Sequence, residues 1–524
     1  MRWVCGIRVS KGRWDRLRRR GESFGKEESM EKSIKRNALL KMSLNVFNIL
    51  IPLVVGPYLA RIFDPGLYNT YNNALAVVSV FIPIASFGIY NYGMRYIARV
   101  RDDGEKVSRL FTQLFFIGLI TNLVGFFLFI AYAFCFGGRV NLAIYAALSI
   151  QILANIVFTE WMNEAFEMYG FIMIKTVIFR MLYVGSIFLF VRRPDDVPVY
   201  ALLISMSTFL NNLASFLYIK RKVKFALPLK RDNLRPVVKS LFFLVLITNA
   251  NILFTQLDKL FLSWFSTDPI ATTCYTMPQT ILYTILNIVN ALVLVTVPRL
   301  SYYLSNGRMA EYLSLQQRSS QTFFMIMFPV SIGLATMSNF VMELYGGAQY
   351  AAAGPVLLVF SLRNLLLCFD TVMVNQVTYL YGRENTMVRL LFTSGALNLL
   401  LDSGLVLLDR FTALPALTPV NLVITTAFSE VVMTALQFRL VRSLNPDIHL
   451  LGFRNLKYLL LSLSFPVVSF LVGLLKLGFL LNGAMVILLC VLLYFGVLLL
   501  ARDPLAIEYL RSVFGKLFSR LKKG

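Results

Sequence analysis

Apolar runs of bilayer length recur along the whole chain, separated by short polar stretches rich in Lys and Arg. A membrane-crossing helix needs roughly 20 mostly apolar residues. Fourteen such segments are predicted, over 39–60, 75–98, 111–134, 141–160, 172–191, 199–219, 240–264, 277–298, 319–341, 353–380, 390–408, 419–438, 458–475 and 479–501. The pattern predicts an all-α polytopic membrane protein. Composition agrees: 57% of the 524 residues are hydrophobic and 15% charged, where soluble domains carry about 25% charged residues.

A net charge of +24 would point to nucleic acid in a soluble protein, but here the cations sort by side. Of 51 Lys and Arg, six (Arg61, Arg139, Arg192, Arg193, Arg410 and Lys476) fall near one face. Four (Arg95, Arg180, Lys259 and Arg363) fall in apolar segments, which leaves 41 for the tails and loops of the other face. Cytoplasmic loops carry the Lys/Arg excess. Both termini are therefore expected in the cytoplasm, and nucleic acid is not an expected partner. Cys5, Cys135, Cys274, Cys368 and Cys490 lack metal or redox spacing and His449 is the single histidine, so neither a metal site nor a cofactor is expected. Residues 1–29 lack the apolar core of a signal peptide. Met30 opens MEKSIKRNALLK, a short basic lead-in of the kind that starts a chain; 1–29 reads as a translated upstream stretch or as a disordered basic tail.

The segments group into a basic cytoplasmic lead (1–38), a first lobe of six helices (39–219), a cytoplasmic linker (220–239), a second lobe of six (240–441), two further helices (458–501) and a basic tail (502–524). The linker KRKVKFALPLKRDNLRPVVK carries eight cations. Asp64-Pro65 is followed by Tyr71, and Asp268-Pro269 by Tyr275, at the same offset and in the turn after the first helix of each lobe. Two bundles related by an axis along the membrane normal, around a central cavity, are expected. In 504–523, Leu510, Phe514, Leu517 and Leu521 fall on one helical stripe and Arg511, Lys516 and Arg520 elsewhere, as in an interfacial helix.

No G-x-x-x-x-G-K-[ST] phosphate loop is present, and no loop outside the membrane reaches domain size, so a transporter is favoured over an enzyme. A charge at mid-bilayer costs about 2.5–3.5 kcal/mol, so it faces a protein interior or a wet cavity. The candidate cavity cations are Arg61, Arg95, Arg180, Lys259 and Arg363; for Arg95, snorkelling to headgroups competes with this role, and for Arg61 a clasp with Asp64. The candidate ion carriers are Asp258, Asp370, Asp402 and Glu430, each of which could instead pair statically with Lys259 or Arg363. Adjacent Asp258 and Lys259 cannot share a helix face. Glu160, Glu164 and Glu167 read as a solvated helix end. Arg363 and Asp370 share a face, and Arg363, about 15 Å deep at 1.5 Å per residue, is expected to meet a diphosphate or an acidic sugar through its planar fork.

ILIPLVVGPYLARIFDPGLYNTYNNA and GIYNYGMRYIARVRDD resemble the start of bacterial polysaccharide-transport flippases, which export lipid-linked O-antigen, capsule or exopolysaccharide repeat units. TEWMNEAFEMYGFIMIKTVIFR, QLDKLFLSWF, VPRLS, ELYGGAQYAAAGPVL and LNLLLDSGLVL look like further segments of that family, in order. The Asp64-Pro65-Gly66-Leu67-Tyr68-Asn69 stretch departs from it, lacking the family's Gly before the turn and Tyr-Gly within it. The family belongs to the multidrug, oligosaccharidyl-lipid and polysaccharide exporter superfamily. The resemblance implies two six-helix lobes, alternating access, and a cationic cavity for the pyrophosphate and sugar while the polyprenyl tail stays in lipid.

The expected function is therefore flipping of undecaprenyl-diphosphate-linked oligosaccharide across a bacterial cytoplasmic membrane. Its expected partners are the bilayer, a proton or sodium gradient and a polysaccharide polymerase machinery. A multidrug/cation antiporter or a peptidoglycan-precursor (lipid II) flippase is the alternative within the superfamily, and a membrane glycosyltransferase or polymerase the alternative outside it.

Overall fold

The computed structural model describes residues 50–137, 141–226, 256–412 and 415–509, with isolated positions between 44 and 48 and between 237 and 245. The basic lead with Met30, most of the linker and the tail beyond residue 509 lie outside the described residues. The helices are α1 Leu50–Ile62, α2 Pro65–Ala85, α3 Ile89–Val100, α4 Gly104–Phe136, α5 Leu142–Ile156, α6 Glu160–Ala165, α7 Tyr169–Phe190 and α8 Val197–Lys220 in the first half. The second half holds α9 Leu257–Phe265, α10 Ala271–Ser305, α11 Met309–Thr336, α12 Ser338–Gly346, α13 Gly354–Met373, α14 Glu384–Phe411 and α15 Pro419–Leu444. Then come α16 Phe453–Ser462, α17 Phe465–Gly473 and α18 Phe479–Leu500. Twelve stretches among the described residues are long and apolar enough to cross a membrane. They coincide with twelve of the fourteen predicted segments; the first and seventh are represented by their described ends, α1 and α9.

Local chemistry moves several boundaries. The second segment starts at Pro65 rather than residue 75, because Asp64 caps α2 through the Leu67 N–H (2.9 Å) and Pro65 opens the first turn. Tyr68 to Asn73 are thus helical rather than part of a loop. The same segment breaks at Phe87 and Gly88, both with positive φ. It continues as α3, whose exposed side carries Arg95 and Arg99. Pro466 in the first turn of α17 splits the thirteenth segment, since proline tolerates a helix start and not an interior.

α2–α8 pack on one another, and so do α10–α15; between the halves the main contacts run from α2 to α9 and α10. Aliphatic side chains such as Ile120, Val124 and Phe127 on α4 stay exposed, as a lipid-facing surface requires. α16–α18 lie against α11, where the Tyr494 hydroxyl donates to the Met325 carbonyl (2.8 Å) and an apolar groove of about 430 Å3 runs past Pro329, Gly333, Val486 and Cys490.

Asp503 anchors the end of this added layer. It accepts from Lys457 Nζ, from the Tyr458 hydroxyl (3.3 Å) and from the Leu505 and Ala506 N–H groups (3.0 Å each). Burial pushes its carboxyl up, but Lys457 and the Ala506 N–H outweigh that and hold it below its ordinary value. A carboxylate depressed in this way stabilises the fold above the unfolded value of about 3.9 and ceases to do so as pH falls through the folded one. Asp503→Asn is expected to destabilise the protein by about 1–3 kcal/mol at neutral pH. The difference from wild type in thermal unfolding should shrink below about pH 4.

Candidate functional site

Three polar regions stand out. The first is the seam where the end of α1 and the start of α2 meet the second half. Asn69 Oδ1 accepts from the Thr273 N–H (2.9 Å) and hydroxyl (3.2 Å), and Asn72 Nδ2 donates to Thr273 Oγ1 (2.9 Å). Arg61 Nη2 donates to the Leu344 carbonyl (2.5 Å), Gln349 Nε2 to the Ala60 carbonyl (2.5 Å) and the Tyr345 hydroxyl to the Pro52 carbonyl (3.1 Å). Gly56 lets Tyr345 approach: a Cβ there would stand 1.8 Å from the Tyr345 hydroxyl oxygen. Arg61 therefore reaches across to the second half, and Asp64 is occupied by the α2 cap rather than by Arg61. Tyr68 stacks on Tyr71, which packs against Tyr200 inside the first half.

The second region is a cavity of about 340 Å3 inside the first half, lined by Arg180 and by amides and hydroxyls including Gln151, Asn155, Thr176, Ser207 and Asn211. Its polar lining follows from helical spacing: Gln151 and Asn155 lie four apart on α5, Thr176 and Arg180 four apart on α7, and Ser207 and Asn211 four apart on α8. Arg180 has no ion pair or hydrogen bond among the described residues. Glu160, also in the lining, is not a solvated helix end. Its Oε2 accepts from Lys175 Nζ (2.8 Å) and Ser215 Oγ (2.6 Å), and the Lys175 side chain is 3% exposed. Lys175 fell among the cations of the basic face because it lies near the edge of its apolar segment. Glu160, four residues past the end of α5, with Ser215 on α8, decides otherwise, and neither partner is near in sequence. Glu164 accepts from the Tyr90 hydroxyl (2.9 Å) and Glu167 pairs with Arg101 (2.9 Å), tying α6 and its exit to α3.

The third region is the interior of the second half. Asp258 Oδ2 accepts from Thr426 Oγ1 (2.6 Å) and from the Tyr275 hydroxyl, and Asn398 Nδ2 bridges Asp258 Oδ1 (3.2 Å) to Asp402 Oδ2 (3.0 Å). Thr425 Oγ1 donates to Asp402 Oδ1 (2.6 Å). Both carboxylates are fully buried. The Asn398–Asp402 spacing of four was the available sequence signal for the bridge; Thr425 and Thr426 gave none. Arg363 Nη2 donates to Glu430 Oε2 (2.9 Å), and Nη1 to the Tyr283 hydroxyl (3.4 Å). Its guanidinium is thus held between α13, α15 and α10, bonded to an acid that sequence reading had set apart as an ion carrier. On α9, Leu260 joins the core of the first half and Phe261 and Leu262 that of the second, while Leu257 packs against both. Lys259 falls on neither side and is partly exposed. The five expected cations do not gather at one point: Arg61 is at the seam, Arg95 is exposed on α3, Arg180 is in the first half and Arg363 is inside the second.

A family model described as "Polysaccharide biosynthesis protein" matches residues 34–304, just over half of the chain. The chain belongs to this family, the polysaccharide flippases of the multidrug, oligosaccharidyl-lipid and polysaccharide exporter superfamily. Two relatives, from Escherichia coli (strain K12) and Shigella dysenteriae, carry the name "Putative O-antigen transporter". Each is 20% identical; the first match covers 78% of this chain and 97% of the relative, the second 70% and 91%. Among solved structures, lipid II flippase MurJ in an inward closed conformation aligns with a TM-score of 0.58 at 13% identity, covering 90% of this chain and 98% of that one. At that identity the likeness concerns the fold. A Vibrio cholerae MATE transporter aligns less closely, at 0.46 and 14% identity, over 80% of this chain and 99% of its own.

Removing one member of a buried ion pair leaves the other uncompensated, at a cost of about 3–5 kcal/mol, while replacing both by apolar groups is often near neutral. Arg363→Ala is therefore expected to lower the thermal stability of the purified protein strongly, and Arg363→Met with Glu430→Met to recover most of the loss.

Proposed function

We propose that this protein moves an undecaprenyl-diphosphate-linked oligosaccharide from the inner to the outer leaflet of a bacterial cytoplasmic membrane, with both termini in the cytoplasm. The observation that carries this reading is the Arg180 cavity: an unpaired guanidinium among amides and hydroxyls, enclosed by membrane helices, in a chain of a polysaccharide family. Amides and hydroxyls match sugar hydroxyls, and a guanidinium matches a phosphate or carboxylate. Glu160 in the lining is already bonded to Lys175 and Ser215, so the charge left to the cavity is that of Arg180, which suits an anionic head group better than an organic cation. The names of the two O-antigen transporters support the same substrate class.

The two halves work as lobes that alternate about the seam. Opening the seam breaks the Asn69, Asn72, Arg61 and Gln349 contacts, which are individually modest hydrogen bonds of about 0.5–1.5 kcal/mol each, and so can be remade in every cycle. Lys259, partly exposed on α9, and Arg61 are further cations available to the head group during that movement. A polymerase on the outer side would use the product.

Direction requires a source of energy, and buried carboxylates are suited to carry protons or sodium ions. Asp258 and Asp402 lie together without a cation bonded to either, so a proton or a sodium ion between them would relieve their mutual repulsion. Glu430 and Asp370 are the second pair in this reading.

Deletion of the gene is expected to leave lipid-linked oligosaccharide on the cytoplasmic face. Sugar-bond formation by the purified protein, dependent on its own acids, would overturn the assignment. Arg180→Ala is expected to reduce export at least tenfold with normal membrane insertion, and Arg180→Lys to retain part of it, since lysine keeps the charge but loses the fork; normal export by Arg180→Ala removes the cavity from the mechanism. In vesicles, Asp402→Asn is expected to abolish the response of transport to proton or sodium gradients, and a wild-type protein indifferent to both would end the coupling proposal.

A further inference from the structure

Inside the second half lie four carboxylates and one guanidinium, which is bonded to Glu430 alone among them. They form two levels. Asp258 and Asp402 share Asn398, while Glu430 holds Arg363. Arg363 also lies within electrostatic range of Asp258, and Asp370 within range of both Glu430 and Arg363. With every acid ionised and Arg363 and Lys259 opposing them, these groups would hold a surplus of two negative charges, which a low-dielectric medium does not tolerate without added cations or protons.

The levels are joined by one stripe of α15. Thr426, Glu430, Thr434 and Gln437 recur every three or four residues, so they share a face, and all four are buried. From Thr426 to Gln437 the stripe runs about 16 Å along the helix axis. Toward its far end, Asp370 lies within electrostatic range of Tyr379, which is half exposed at the turn before α14. Between them, Val374–Thr378 is wound as a π-helix, the widened form that favours functional positions.

Thr426 and Glu430 on this stripe are bonded to Asp258 and Arg363, but polar atoms beyond and beside them lack partners. Ser429 Oγ, Thr434 Oγ1, Arg363 Nε and Asn398 Oδ1 are buried with no hydrogen bond to a described residue, and the Gln437 amide lies near the Asp370 carboxyl without closing a well-formed hydrogen bond to it. Each bare group would cost about 1–3 kcal/mol. Native interiors meet such needs with water, each molecule taking about three hydrogen bonds. Unmet donors and acceptors beside ionisable groups call for water, as the packed apolar core around them does not.

We propose that this stripe is a hydrated proton path, separate from the Arg180 cavity, between the Asp258–Asp402 pair and the Tyr379 end of the second half, with the Arg363–Glu430 ion pair as its midpoint gate. The proposal rests on the ion-coupling reading above and deepens it. A proton enters as hydronium from water at Tyr379, passes through hydrogen-bonded waters between carboxylates and leaves as hydronium; only O–H bonds form and break. The charged and titratable groups facing the path are Asp258 and Lys259 on α9, Tyr275 and Tyr283 on α10, Arg363 and Asp370 on α13, Asp402 on α14, Glu430 on α15, and Tyr379. When Glu430 is protonated its hold on Arg363 weakens, and the guanidinium is free to turn toward Asp370 or Asp258, which lets the next proton through.

The test uses the full chain in proteoliposomes, with the proton itself as probe: a rapid pH jump, followed through the infrared absorption of carboxyl groups, with Glu430→Gln identifying that group's band. In the variant carrying Thr434→Val and Gln437→Leu, protons should reach the Asp258–Asp402 pair at least tenfold more slowly than in wild type, with the same final uptake. Thr434→Ser, which keeps the hydroxyl, should keep the wild-type rate. An unchanged rate in the double variant overturns the path while leaving ion coupling intact. If the wild-type carboxylates take up no proton at all, the proton form of coupling fails with it. Thr434→Cys provides a reading that does not depend on the double variant folding. A small water-soluble thiol reagent should modify it at least tenfold faster than the buried native Cys368, and equal protection of the two overturns the proposal.

Discussion

A bilayer interior offers no water to a stranded polar group, so every charge inside this protein must be met by another part of the chain or by something that enters between the helices. That constraint organises the structure. Lys175 is met by Glu160 and Ser215, and Arg363 by Glu430 and Tyr283. Arg180 is met by no described side chain and opens on a polar cavity. Asp258 and Asp402 are met by hydroxyls and an amide but, among the described residues, by no bonded cation. The satisfied pairs hold helices together, whereas the unsatisfied groups are where a ligand, an ion or water has something to do.

The two halves solve the constraint differently. The first encloses a polar cavity whose cation, Arg180, has no ion pair among the described residues. The second encloses an excess of acids, suited to small cations. Complementary charge in two halves of one molecule gives a physical basis for coupling opposite movements, provided the halves move relative to each other. The seam between them is consistent with that: its polar contacts are single hydrogen bonds, many to backbone carbonyls, and its apolar part is the small cluster around Ala60, Cys274, Met277 and Tyr350. α16–α18 add a layer against α11 outside this arrangement, held at one end by Asp503.

The all-helical class and the approximate positions of twelve spans were legible in the chain because hydrophobicity over about 20 residues is a local property that the bilayer reads directly. So was the unusual status of Asp258, Arg363, Asp402 and Glu430, since a charge in an apolar run stands out without any neighbour being known. The ends of helices were less legible. Asp64 looked like part of a turn and is a cap, and the break at Phe87–Gly88 depends on positive φ values that no hydropathy average detects.

What tertiary structure alone decided is which charge meets which. Arg363 and Glu430 are 67 residues apart, Asp258 and Thr426 168, and Arg61 and the Leu344 carbonyl 283. Sequence spacing assigns a residue to a face of its own helix, and it placed Arg363 with Asp370 on one face correctly in that sense. It carries no information on which distant helix lies opposite, because that depends on how all the helices pack at once. The sequence by itself therefore determined a membrane-spanning helical protein with costly charges at named depths, and packing determined which of those charges are bonded and which remain free to act.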